Sequence, residues 1–134
     1  MRKKSGSKGK AAGIGKTILL VDEESEIALH TALQREGYRV FSCESPQTAW
    51  GLAYSFRPDF VIVHLHQPSA RDVARLQECR ALADGVPVIV ATATPGYETI
   101  VKALEEGATA FLFLPIKPRA IRKVLDGLAP PAGK

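Results

Sequence analysis

Between Pro58 and Pro68 the chain reads Asp59-Phe60-Val61-Ile62-Val63-His64-Leu65-His66-Gln67, and this stretch restricts the fold more than any other. Pro58 lacks an amide proton and suits neither a helix interior nor a central strand, so it marks a start. Phe60 to Val63 is continuously apolar and rich in β-branched residues. Alternation would give a strand one wet face; a continuous run is buried on both, as in a parallel sheet covered by helices. The run turns polar at His64, and Pro68 closes the turn. Ligands of open α/β sheets bind beyond the carboxyl ends of the strands, so His64 is the residue to follow.

The same kind of run recurs. Ile18 to Val21 ends in Asp22-Glu23-Glu24; Tyr38 to Cys43, Val86 to Ala91 (ending in Thr92-Ala93-Thr94) and Phe111 to Leu114 complete the set. Helical segments lie between them. The first spans Ser25 to Glu36, stopped by Gly37. A second opens at Ser45-Pro46, with Ser45 as N-cap, Pro46 at the first helical position and Ala49, Leu52, Ala53 and Phe56 as its apolar stripe. Trp50 and Tyr54 on that helix are read as covering the core edge. A third runs from about Ser69 to Leu82, with Val73, Leu76 and Cys79 or Arg80 at inward spacing, and Gly85 breaks it. A fourth follows Pro95-Gly96 through Glu106, with Ile100, Val101 and Leu104 inward and Gly107 as cap. Pro118 opens the last, which carries Ile121, Val124, Leu125 and Leu128. Five strands alternating with five helices predict an α/β fold: three layers, a parallel sheet and right-handed crossovers.

Charge separates a tail from this domain. Residues 1–16 hold six of the 18 Lys and Arg and no acid, leaving 12 basic against 14 acidic groups, or −2, in the remainder. The tail is read as disordered and solubilising; it is also the one segment suited to nucleic acid or an acidic surface. The domain spans 17–128, and residues 129–134, after Pro130-Pro131, are read as a disordered end. Gly13-Ile14-Gly15-Lys16-Thr17 hints at a phosphate loop, but residue 10 is lysine and the segment precedes a strand instead of following one. Asp22-Glu23-Glu24 after the first strand would repel an anion, which argues against a flavodoxin-like enzyme or nucleotide binder. No apolar run has membrane length, and no apolar core follows the basic start, so a cytoplasmic protein is expected. Cys43 and Cys79 have neither metal nor redox spacing and read as free, buried thiols.

The strand ends supply Asp22 and Glu23, then His64, then Thr92, then Leu114 followed by Pro115. In a parallel sheet of neighbours these ends share one crevice. Over roughly residues 17–128 the chain resembles the receiver domain of two-component response regulators, the CheY-like fold. The features are the acidic pair, Pro58-Asp59, Pro68 four residues past the third strand, Thr92-Ala93, and Gly107-Ala108 seven residues before Leu114. The resemblance implies sheet order 2-1-3-4-5. It implies a phospho-accepting aspartate at the end of the third strand, Mg²⁺ held by that aspartate and the acidic pair, and a hydroxyl and a lysine on the phosphoryl oxygens. By position the acidic pair is Asp22 and Glu23 and the hydroxyl is Thr92, whereas the acceptor position holds His64 and the lysine position Leu114.

Phosphoryl transfer here needs a carboxylate nucleophile, with cations to neutralise the developing charge. His64 offers nitrogen where Mg²⁺ prefers hard oxygen, and Leu114 removes the cationic clasp. The expectation is therefore a degenerate receiver. It acts by protein contact without phosphorylation, is not an enzyme, has no cofactor and binds Mg²⁺ weakly or not at all. Three lesser readings stand beside it: an acceptor at Asp59 or Asp72, a transition-metal site at Asp22, Glu23, His64 and His66, and a pH sensor at His64. The plain reading of His64 is a partly buried imidazole hydrogen-bonded to Asp22. In the family, output leaves by the face of the fourth helix, fifth strand and fifth helix. Here that face offers Phe111, read as inward packing, with Tyr97, Lys102, Glu105, Glu106, Arg119, Arg122 and Lys123. It would dock a histidine kinase, an output protein or a second copy in a homodimer. Whether the chain is a stand-alone adaptor or a piece of a longer regulator is left open.

Overall fold

In the computed structural model, residues 16–24, 27–45, 47, 48, 51, 57–66, 70–83, 85–93, 105 and 107–128 are described. Strands β1 (Thr17–Asp22), β2 (Arg39–Cys43), β3 (Phe60–His64), β4 (Val88–Thr92) and β5 (Ala110–Phe113) form one sheet in the order β2-β1-β3-β4-β5, as the resemblance implies. Every neighbouring pair is parallel. Burial explains the order. β1, β3 and β4, the most continuously apolar runs, are buried along their whole length and stand in the middle. β2 and β5 carry exposed positions and form the edges.

Three helices are described: α1 (Ile27–Arg35), α2 (Ala70–Ala83) and α3 (Pro118–Leu128). Side chains alternate across the sheet and build two cores. Leu19, Val21, Val61, Val63, Val88 and Val90 pack with Leu76 and Cys79 of α2. Ile18, Leu20, Phe60, Ile62 and Ile89 pack with Leu29 and Leu33 of α1 and Ile121 and Leu125 of α3. Cys79, and not Arg80, is the inward residue of α2; Arg80 is exposed.

The chain ends α1 with paired backbone bonds, Tyr38 N–H to Leu33 O at 3.3 Å and Gly37 N–H to Gln34 O at 3.0 Å. This cap needs a left-handed residue between them, and Gly37 supplies φ 97°. The Tyr38 amide is thereby used, so β2 begins at Arg39 and not at Tyr38. β4 begins at Val88 and not at Val86, because Pro87 has no amide to give to the ladder; its carbonyl accepts from Val61 N–H at 3.0 Å. β5 runs one residue earlier than expected, and Leu114 follows it. Gln47, Thr48 and Gly51 are helical, as is Glu105, where the second and fourth helices are expected. Ser45 Oγ accepts the Thr48 N–H at 3.2 Å, the cap bond its position predicts. The rest of those two helices, with Trp50 and Tyr54, lies outside the described residues, as do residues 1–15 and 129–134.

Candidate functional site

Asp22 and His64 are register partners at the carboxyl ends of β1 and β3. Alternation places both on the face of Leu20 and Ile62, beneath α1 and α3. Both are buried, at 1% and 3% exposure. His64 Nδ1 lies 3.1 Å from Asp22 Oδ2. His66, two residues on, turns back and sets Nε2 2.7 Å from Asp22 Oδ1. The two rings stack, with centroids 3.9 Å apart and planes inclined by 30°. A carboxylate has only acceptors, so these contacts fix the ring protons on His64 Nδ1 and His66 Nε2. The Glu24 N–H also donates to Asp22 Oδ1, at 3.0 Å. Burial works to raise the Asp22 pKa, but the hydrogen bond from His66, the Glu24 amide and the charges of the two imidazoles outweigh it. The carboxyl is held below its ordinary value, ionised at neutral pH.

Glu23 takes a different direction. Its carboxylate meets the Arg75 guanidinium of α2 in a fork, with Nη1–Oε1 at 3.2 Å and Nη2–Oε2 at 3.1 Å. It therefore stands outside the cluster formed by Asp22, His64 and His66, whose donor atoms all lie within 4.8 Å of one another. The expected set of Asp22, Glu23, His64 and His66 is thus divided: Asp22 and the two histidines come together, and Glu23 does not join them. Mg²⁺ does not suit this arrangement. Both oxygens of Asp22 accept imidazole N–H bonds, Glu23 is paired with a cation, and the remaining donors are nitrogen.

A cavity of about 380 Å³ opens beside the cluster, lined by His64 and His66 together with Leu29, Ala32, Leu114 and Ile116. Leu114 thus shares a wall with His64, as its strand-end position predicts. Thr92 is buried at the end of β4, and its carbonyl accepts the Leu114 N–H at 2.9 Å. Leu65 N–H donates to Ala91 O at 2.9 Å, so backbone bonds tie together the ends of β3, β4 and β5.

Asp59 lies at the other end of β3. Its Oδ2 accepts the Thr17 N–H and its own N–H donates to Thr17 O, each at 2.8 Å. Asp72 falls within α2, and its side chain lies outside the described residues. On the suggested output face, Phe111 is half-buried against the α2-side core and stacks on Phe113, centroids 5.7 Å apart. Phe113 is 48% exposed. Arg119 and Lys123 are exposed, while Arg122 Nε lies 3.8 Å from Glu36 Oε1 at the end of α1. Glu105 is exposed. Tyr97, Lys102 and Glu106 lie outside the described residues.

Comparison with known proteins supplies the family context. A family model described as the response regulator receiver domain matches residues 18–126. The phosphate regulon transcriptional regulatory protein PhoB of Pseudomonas aeruginosa is 30% identical over 112 residues, covering 81% of this chain and 49% of that protein. The KDP operon transcriptional regulatory protein KdpE of Escherichia coli is 33% identical over 100 residues, 73% of this chain and 44% of that one. The chain thus spans about half or less of the length of these curated relatives. Among solved structures, the chemotaxis protein CheY4 of Vibrio cholerae superposes with a TM-score of 0.69 at 23% identity, covering 84% of this chain and 97% of that chain. The receiver domain of the sensor histidine kinase PA1611 of P. aeruginosa, solved with magnesium coordinated in its active-site cleft, gives 0.68 at 25% identity, with 84% and 96% covered.

Proposed function

Since the chain belongs to the response regulator receiver domain family, and is thereby a receiver domain of two-component signalling, we propose that it signals through protein contact without accepting a phosphoryl group. One observation carries this reading. At the strand ends, where the family's chemistry needs a carboxylate acceptor and an open acidic pair, both oxygens of Asp22 are held by the imidazoles of His64 and His66. Leu114 supports it, because an aliphatic chain on the cavity wall cannot hold developing negative charge. Asp59 offers no alternative acceptor, because it is bonded to the start of β1, a strand's length from the cluster. The partner classes that fit are a histidine kinase, an output protein or a second copy of the chain. Arg119, Lys123 and the exposed Phe113 are the surface this reading assigns to them. A cytoplasmic setting accords with the free thiols of Cys43 and Cys79 and with the lack, among the described residues, of a helix long and apolar enough to cross a membrane.

The test is an NMR titration of isotope-labelled protein with Mg²⁺ and then acetyl phosphate. The amide signals of Asp22, Glu23 and Thr92 are expected to stay in place. A saturable Mg²⁺ shift followed by a phosphate-dependent one would reject the reading.

A further inference from the structure

The donors that fail to suit Mg²⁺ suit another class of ion. We infer that Asp22, His64 and His66 form a binding site for a divalent transition metal, with zinc as the best-matched ion, open toward the adjoining cavity. Two imidazole nitrogens and one carboxylate are the ligand set of open zinc sites and of facial-triad iron sites.

Geometry supports the assignment. Zinc at about 2.0–2.1 Å from nitrogen and oxygen in a tetrahedral shell separates its ligands by about 3.3 Å. The nitrogens of His64 and His66 already lie 3.1 and 2.7 Å from oxygens of Asp22. One ligand atom from each residue lies within 4.8 Å of the other two, so the widest gap has to close by at most about 1.5 Å. His66 can supply that movement, since it follows β3 instead of lying in it and its side chain is 17% exposed. Asp22 and His64 are fixed by strand pairing and by the Glu24 amide. An outer partner is also present: Glu24 Oε1 lies 3.7 Å from His66 Nδ1. When the metal takes Nε2, the ring proton moves to Nδ1 and can be given to Glu24, the arrangement that orients metal-bound histidines. His64 likewise carries its proton on Nε2 once Nδ1 is a ligand. Three protein ligands leave a fourth position, and both histidines line the cavity of about 380 Å³ from which water or a small anion could fill it. The cavity's remaining wall, with Leu29, Ala32, Leu114 and Ile116, is apolar and keeps competing charges away.

The test uses untagged full chain, stripped with a chelator, and zinc chloride alone as titrant in calorimetry, with cobalt absorption as the second readout. We expect one equivalent of zinc to bind at about 10 μM protein, and cobalt to give the visible bands of four-coordinate geometry. His66→Gln should weaken binding more than about 100-fold, whereas His30→Gln, at a histidine that meets Ser42 instead, should leave it unchanged. Should His66→Gln unfold, Glu24→Gln decides: about tenfold weaker binding supports the site, and unchanged affinity overturns it. Absence of heat, or zinc binding that persists in folded His66→Gln, overturns it as well. Such a failure would leave the phosphate-independent reading intact, because that reading is judged by Mg²⁺ and acetyl phosphate.

Discussion

Replacing His64 by aspartate restores the residue type that the family's chemistry uses and should harm this protein. His64 and Asp22 are both almost fully buried and 3.1 Å apart at their nearest polar atoms. The variant sets a second carboxylate where an imidazole donated a hydrogen bond. Two like charges about 4 Å apart, at an effective dielectric near 20, repel by about 4 kcal/mol. The lost hydrogen bond adds about 1 kcal/mol. Relaxation and partial protonation recover some of this, so a net loss of about 3–4 kcal/mol is expected, a large share of a typical domain's 5–15 kcal/mol. For a domain of this size the melting temperature should fall by roughly 10–15 °C at neutral pH. Two further signs identify the cause. One of the paired carboxyls has a raised folded-state pKa, so its stabilising protonated form is present below the unfolded value of about 4 and is lost as pH rises. The gap between variant and wild type should therefore widen from acid to neutral pH. Millimolar Mg²⁺ should stabilise the variant, which offers adjacent oxygen ligands, and not the wild type. The assay is thermal denaturation followed by circular dichroism across pH, with and without Mg²⁺. A variant melting within about 2 °C of wild type, or an equal Mg²⁺ response in both, would refute the account of the buried pair.

Other expectations follow from single side chains. The Tyr38 hydroxyl is buried with no hydrogen-bond partner among the described residues, so Tyr38→Phe should leave stability unchanged or raise it slightly in urea denaturation, whereas a loss above about 1 kcal/mol would reveal a missing partner. Burial pushes the Cys79 thiol up to about 12 and also raises Cys43; both should resist a thiol reagent at pH 8 while the chain is folded and react in denaturant. Because those shifts are upward, their contribution to stability is complete below the unfolded thiol value of about 8.5 and declines as pH rises beyond it, which alkaline denaturation measures. Leu76 is fully buried between α2 and the sheet, and Leu76→Ala should cost about 2–5 kcal/mol by the same denaturation measurement.

Much of the sheet was legible because its signal is local. Continuous apolar runs at Ile18–Val21 and Phe60–Val63 became β1 and β3, and the polar residues ending them, Asp22 and His64, met as register partners. Gly37 and Ser45 announced a helix stop and a helix start through bonds that span only a few residues. Strand edges were misjudged where one amide decided them: Tyr38 gives its N–H to Leu33, and Pro87 has none to give. The site was legible only in part. His64 could be placed because a strand fixes it, but His66 follows the strand, and no periodicity says that its ring folds back onto Asp22. The separation of Glu23 from the cluster was hidden too, since it depends on Arg75, 52 residues away along the chain. The cavity between α1 and the residues after β5 arises from elements distant in sequence; the strand ends named His64 and Leu114 among its walls beforehand, but not Leu29, Ala32 or Ile116.

Intact-mass spectrometry of the wild-type chain after incubation with acetyl phosphate and Mg²⁺ tests the central claim most directly. The account predicts an unchanged mass. A gain of one phosphoryl group, labile to hydroxylamine as an aspartyl phosphate is, would contradict it.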